Sequence, residues 1–136
     1  MSRPATVTEV LTVLAARELA GHRVVFAGIG LPTLAAALAQ LTGAPDIEVV
    51  SPAPVGRRQA SGRGVTRLIT PLGVLTREDD ELVLSSVNPG ADVAQIRSAT
   101  GWPLKVAADV SDAKPPTAEE LRVLREVLDP GRLYLR

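Results

Sequence analysis

Apolar positions recur at helical spacing through the first twenty residues and then give way to short unbroken runs. Val10, Leu11, Val13, Leu14 and Leu19 mark one helix face. Thr6-Val-Thr-Glu9 just ahead has the spacing of a capping box: Thr6 accepts the Glu9 amide and Glu9 reaches back. The pattern predicts a helix from about Val7 to Leu19, stopped before Gly21. Arg23 to Ala27 reads as a buried strand, broken by Gly28-Ile29-Gly30. Leu31-Pro32 opens a second helix, because proline is tolerated in a first turn, and Gly43 stops it after about Leu41. Ile47 to Val50 is the next strand. Strand, helix and strand in this order predict a βαβ unit with a right-handed crossover.

Ser51 to Gly64 has no period and holds Pro52, Pro54, Gly56, Gly62 and Gly64, so it reads as a loop. Val65 to Thr70 returns to a strand. Gly73–Thr76 and Leu82–Val87 flank the charged run from Arg77 to Glu81, the pattern of a hairpin. Asp92-Val-Ala-Gln95 starts a helix ending near Thr100-Gly101, and Leu104 to Ala107 reads as a short strand. Thr117-Ala-Glu-Glu120, after Pro115-Pro116, is a further capping box. Its helix predicts a buried face of Leu121, Leu124, Val127 and Leu128 and ends at Asp129-Pro130.

Composition narrows the fold. The 136 residues are 46% hydrophobic but only 2% aromatic, so the core is aliphatic. Such a core suits parallel strands covered by helices. The expected fold is α/β: one domain over 1–136, a compact three-layer open sheet, mostly parallel with an antiparallel hairpin, and helices on both faces. Fifteen Lys and Arg balance fifteen Asp and Glu. With no basic surplus and few aromatics, no nucleic-acid partner is expected. No cysteine is present, which removes disulfides and thiol chemistry. No apolar run is long enough for a membrane span, and the first residues lack a signal core. A cytoplasmic protein with no membrane partner is expected.

Few residues carry candidate chemistry. Gly28, Ile29 and Gly30 place amides at a helix mouth, where an anion or oxyanion is stabilised. Equally, they read as a tight strand-to-helix turn that needs glycine. Thr33 stands where a dinucleotide fingerprint has its third glycine. Arg57, Arg58, Arg63 and Arg67 form a phosphate-type cluster or a solvated loop. His22 is the only histidine and precedes the first strand, the edge opposite to ligand sites in open sheets. No metal site is expected; Asp79 and Asp80 read as a charged hairpin tip. Trp102 reads as an interface anchor or a half-buried core residue.

Two ordered blocks carry a family resemblance. One runs from Ala15-Ala16-Arg17-Glu18-Leu19 through Val24-Val25-Phe26-Ala27-Gly28-Ile29-Gly30-Leu31-Pro32 to Ala44-Pro45-Asp46. The other runs from Leu68-Ile69-Thr70-Pro71-Leu72-Gly73-Val74 through Ser86-Val87-Asn88-Pro89-Gly90 and Arg97-Ser98-Ala99-Thr100-Gly101-Trp102-Pro103-Leu104 to Pro116-Thr117-Ala118-Glu119-Glu120-Leu121, with Leu133-Tyr134-Leu135-Arg136 at the end. Together they resemble the β subunit of the family I coenzyme A transferases, of the glutaconate-transferase and steroid ring-cleaving hydrolase types. Family subunits are nearly twice as long. The blocks, about 8–50 and 65–136, are joined here by 51–64, as though the middle were cut out.

The resemblance implies an α-type partner subunit and an acyl-CoA thioester substrate, with no tightly bound cofactor. It also implies CoA transfer, thioester hydrolysis or hydrolytic C–C cleavage as the reaction. The family's catalytic glutamate follows the strand after the Gly-Ile-Gly-Leu-Pro helix. Ser51, Pro52 and Ala53 occupy that position here, so no catalytic residue is carried over. Glu48 lies within the strand, before its end, and does not take the role. The family's later glycine-rich stretch against CoA has no counterpart, and Arg57 and Arg58 are the candidate phosphate contacts. A β-like subunit inactive alone is expected. A non-catalytic interaction module, a stand-alone small-ligand binder and a homo-oligomer are the alternatives.

Overall fold

The structure, a computed structural model, describes residues 3–50 and 65–136. Its contacts divide the chain into two compact units, Met1–Arg58 with Pro116–Arg136, and Gln59–Pro115. The chain leaves the first unit after its second strand and re-enters it at Pro116. The second of the two sequence blocks is therefore shared between both units.

The first unit contains α1 (Val7–Glu18), β1 (Val24–Phe26), α2 (Leu31–Thr42) and β2 (Glu48–Val50). Into the same unit the chain returns as one further helix, Ala118–Arg122, which continues as a π-helical segment, Val123–Leu128. β1 and β2 are parallel, with Val24 opposite Glu48 and Phe26 opposite Val50, as the βαβ reading expects. Val13, Ala16, Leu34, Leu38, Ile47, Leu124 and Leu135 form its core. α2 is built for that core: Ala35, Ala36 and Ala39 let neighbours approach closely, while Leu34 and Leu38 fill the space between.

The second unit contains β3 (Arg67–Ile69), β4 (Gly73–Glu78), β5 (Glu81–Val87), α3 (Val93–Ala99) and β6 (Val106–Asp112). The helix over Ala118–Arg122 is thus α4 in chain order. The strands form one sheet in the order β3-β4-β5-β6. Its core is Leu75, Leu84, Val87, Ile96 and Leu104. Gly73 opens β4 where no side chain fits: a Cβ there would stand 2.7 Å from the Ser86 carbonyl oxygen. Asp79 alone of the two tip residues has a positive φ, 54°, which an aspartate tolerates in a turn.

The α/β class holds, but the strands pair differently from one open, mostly parallel sheet. Among the described residues there are two sheets. β3–β4 and β4–β5 are antiparallel because short turns join them; β5–β6 is parallel. The last strand, expected at Leu104–Ala107, is Val106–Asp112. It is an edge strand carrying Asp109, Ser111 and Asp112, so its polar half hides it from a hydrophobic reading. In the C-terminal helix Val123 is buried and Val127 is exposed. The π turn explains this: the Asp129 amide reaches back five residues to the Leu124 carbonyl, at 2.9 Å. The wider turn rotates later side chains out of α-helical phase.

All three N-caps lie where the spacing puts them. Thr6 and Thr117 close full capping boxes with Glu9 and Glu120; Asp92 accepts the Gln95 amide. Both capping glutamates also take an arginine from another helix. Arg125 Nε and Nη2 each donate to Glu9 at 2.8 Å, and Arg17 Nε and Nη2 donate to Glu120 at 3.0 and 2.7 Å. Glu9 has no exposed surface. Hydrogen bonds from Arg125 outweigh burial there, and with the Thr6 amide they lower its pKa from 4.5 to about 2. Asp129 is similarly enclosed and accepts the amides of Leu133, Tyr134 and Leu135 at 2.8–3.0 Å. Burial pushes its carboxyl up, but the three amides prevail and hold it lowered.

A carboxyl with a depressed folded pKa stabilises fully above its unfolded value and loses that contribution as pH falls. Urea denaturation of the first unit should therefore show stability falling from about pH 4.5 towards pH 2, and Glu9→Gln should flatten that slope. Arg125→Met leaves the buried Glu9 charge without its fork. In the same assay at neutral pH it should cost about 3 kcal/mol, and adding Glu9→Gln should recover part of it.

Candidate functional site

Because β1 and β2 are parallel, the chain leaves both at one edge. There the Ala27 amide donates to the Val50 carbonyl at 3.1 Å, extending the ladder one step past β1. Gly28, Ile29 and Gly30 follow and turn the chain into α2. The Thr33 hydroxyl donates to the Gly28 carbonyl at 2.7 Å and ties the turn to the helix. Gly30 is the α2 N-cap, at φ 103° and ψ −135°. A side chain is strained at that φ, so the glycine there is a backbone requirement.

No side chain caps α2, and Pro32 in its first turn brings no N–H. The helix mouth is therefore apolar and small rather than closed by a Ser or Asp. Ile29 is 90% exposed. A Cβ on Gly28 or Gly30 would meet nothing within 4 Å among the described residues. The turn is thus an open backbone surface at the C-terminal strand edge, where amides and the helix dipole favour negative charge.

Ser51, Pro52, Ala53, Arg57, Arg58 and Arg63 lie outside the described residues. The sequence after Val50 still fixes that no carboxylate stands at 51–53. Glu48 opens β2 opposite Val24 and is exposed, at the edge away from the glycine turn. His22 is at that far edge too, in an open cleft of about 550 Å³ with Arg23, Asp46 and Glu48. His22 is thus remote from the turn in topology, as its position before the first strand predicts. Arg67 lies in β3, in the second unit. No group of three His, Cys, Asp or Glu fit to hold a metal occurs among the described residues, and no helix there is long and apolar enough to cross a membrane. Trp102 is 48% exposed.

The arginine partners of Glu9 and Glu120 are not foreseen from the sequence. The capping-box glutamates themselves are the available signal; nothing local marks Arg125, 116 residues further on. Asp129 reads in the sequence only as a helix end. Its role as a collector of three amides depends on the chain turning back on itself over Pro130–Arg132.

No protein-family model matches the chain. Two curated proteins match part of it. The B subunit of 3-oxoadipate CoA-transferase from Pseudomonas knackmussii is 44% identical over 66 residues, 47% of this chain and 25% of that protein. The cholesterol ring-cleaving hydrolase IpdB subunit of Rhodococcus jostii is 36% identical over 69 residues, 49% of this chain and 27% of that protein. The match thus spans about a quarter of each relative's length. Among solved structures, glutaconate coenzyme A-transferase from Acidaminococcus fermentans superposes with a TM-score of 0.81 at 13% identity, covering 96% of this chain and 97% of that one. The architecture is the CoA-transferase fold. Over about half its length the chain is similar in sequence to the β-type subunits of a CoA-transferase and a ring-cleaving hydrolase.

The two glycines of the turn should respond differently to substitution. Gly30→Ala should cost about 1–3 kcal/mol of stability, the scale of a forced positive φ. Gly28→Ala meets no atom among the described residues and has no positive φ, so its melting temperature should stay within error of the parent in a thermal scan.

Proposed function

We propose that this chain is a β-type subunit that works with an α-type subunit on acyl-CoA thioesters. One observation carries the reading: the relatives matched at 44% and 36% identity are named as a CoA-transferase's B subunit and a ring-cleaving hydrolase's IpdB subunit. The Gly28–Ile29–Gly30 turn supplies backbone dipole at the strand edge, where a thioester oxyanion is stabilised. The residues after β2, Ser51, Pro52 and Ala53, offer no carboxylate nucleophile, so any essential carboxylate belongs to the partner. Arg57 and Arg58 are the cations this reading assigns to CoA phosphates. No resident cofactor is required, and the cytoplasm is the compartment this reading assigns. Transfer, thioester hydrolysis and C–C hydrolysis are all compatible with such a pair.

The lack of a carboxylate at 51–53 also favours a second reading, a non-catalytic scaffold or regulatory module on the same fold. One experiment separates them. The chain is co-expressed with an α-type subunit from the same genome, and the pair is examined by size-exclusion chromatography and acyl-CoA turnover. A stable heteromer with turnover is the expected result. A chain that stays apart from the α subunit sinks the proposal; a stable heteromer without turnover favours the scaffold. In an active pair, Gly28→Val should lower kcat by about tenfold or more without changing the elution position, because it crowds the turn beside the reacting oxygen.

A further inference from the structure

The second unit holds two adjoining cavities with opposite chemistry, and Trp102 lines both. One is a pocket of about 400 Å³ between the start of the β3–β4 turn and α3. Leu68, Leu72, Leu75, Ile96 and Ala99 face it. Its two hydroxyls are already committed: Thr70 Oγ1 donates to the Gly73 carbonyl and Thr100 Oγ1 to the Ile96 carbonyl, both at 2.7 Å. The pocket therefore presents apolar surface and asks for no hydrogen bond. Its volume lies in the range of small-molecule sites.

The other is an open cleft of about 900 Å³ that shares Trp102 with it and is lined also by Arg97, Lys105 and Glu81. Lys105 Nζ and Glu81 Oε2 pair at 2.6 Å and cancel each other. Arg97 forms no ion pair or side-chain hydrogen bond among the described residues, so its guanidinium is available in the cleft. A planar guanidinium without a partner suits a carboxylate fork. The apolar pocket and the free cation are joined through a half-exposed tryptophan, which presents an apolar face to a ligand body.

We infer that the Trp102 pocket and Arg97 together form a site for a small organic carboxylate with a compact apolar body. The ring or branched alkyl group enters beside Leu75 and Ile96, Trp102 covers it, and the carboxylate meets Arg97. The site lies wholly within Gln59–Pro115 and uses none of the residues at the glycine turn, so it stands or falls separately from the acyl-CoA function.

Trp102 is the only tryptophan, so its emission reports on this site alone. The full chain is titrated with cyclohexanecarboxylate, and with neutral cyclohexanecarboxamide as control; neither absorbs where tryptophan is excited. The carboxylate should produce a saturable blue shift, and the amide should bind more weakly by about tenfold or more. Arg97→Gln, on an exposed helix position, should bring the carboxylate to the affinity of the amide. Ala99→Phe, also exposed, should fill the pocket and abolish both responses with an unchanged circular dichroism spectrum. No saturable shift overturns the proposal, as does equal binding of the two probes that Arg97→Gln leaves unaltered. A shift seen only on adding a second protein also overturns it and makes Trp102 a protein anchor instead.

Discussion

Glu9 has no surface in water, and a buried carboxylate is costly unless it is paired and fully hydrogen-bonded. Here the pairing is complete: the Arg125 fork takes both oxygens, the Thr6 amide takes Oε2, and Arg3 approaches Oε1 at 3.6 Å. Arg125 also donates to the carbonyls of Arg3 and Pro4, so the same guanidinium satisfies the chain entering α1. Glu120, at the start of α4, is held in turn by Arg17 from the last turn of α1. Each helix thus anchors its own first turn and a late residue of the other. Two such pairs fix the helices side by side and in opposite directions. They prescribe which ends meet more than they add net stability, since burying an ion pair roughly offsets its own attraction.

That constraint decides where the chain ends go. Pro116–Arg136 returns to the unit that Met1–Arg58 began, and the intervening residues form a second unit. Asp129 completes the return by collecting three successive amides, which sets Leu135 in the core at 2% exposure. The Thr8 hydroxyl then donates to the Arg136 carbonyl. A short loop-closing motif and two ion pairs therefore do for the first unit what a longer hydrophobic seam would do in a larger domain. The second unit needs no such closure, because its strands β3 to β5 follow one another through tight turns.

Legibility in the sequence follows the same division. Helix starts are readable because a capping box is four consecutive residues, and all three caps form as spaced. The parallel β1–β2 pair is readable from the alternation of strand and helix. The π turn is not: nothing in Val123–Leu128 departs from an ordinary helical pattern, and its phase shift is visible only in which valine is buried. β6 is only partly readable because of its own acidic residues, which an edge strand tolerates and a hydrophobic pattern does not include. The arginine forks are invisible because ion pairing over more than a hundred residues is a property of the fold. At the site, the glycine turn is located by residue type, whereas the Trp102 cavities require α3 and the β3–β4 turn to be placed together.

The geometry of the glycine turn also bears on what a second chain must bring. Backbone amides and a helix dipole stabilise charge that has already developed; they do not attack a thioester. On the proposed reading, a strand edge with an open turn and no acidic residue in the three positions after Val50 is one half of an acyl-transfer site. The backbone half is the part most tightly fixed by the fold, because Gly30 can adopt its φ only as glycine and Thr33 locks the Gly28 carbonyl. A nucleophile is the part most easily supplied from elsewhere, since it needs reach and a suitable pKa rather than a particular strand. On the proposed reading, the scaffold keeps what depends on its own backbone and leaves to the α-type partner what a side chain from another surface can provide.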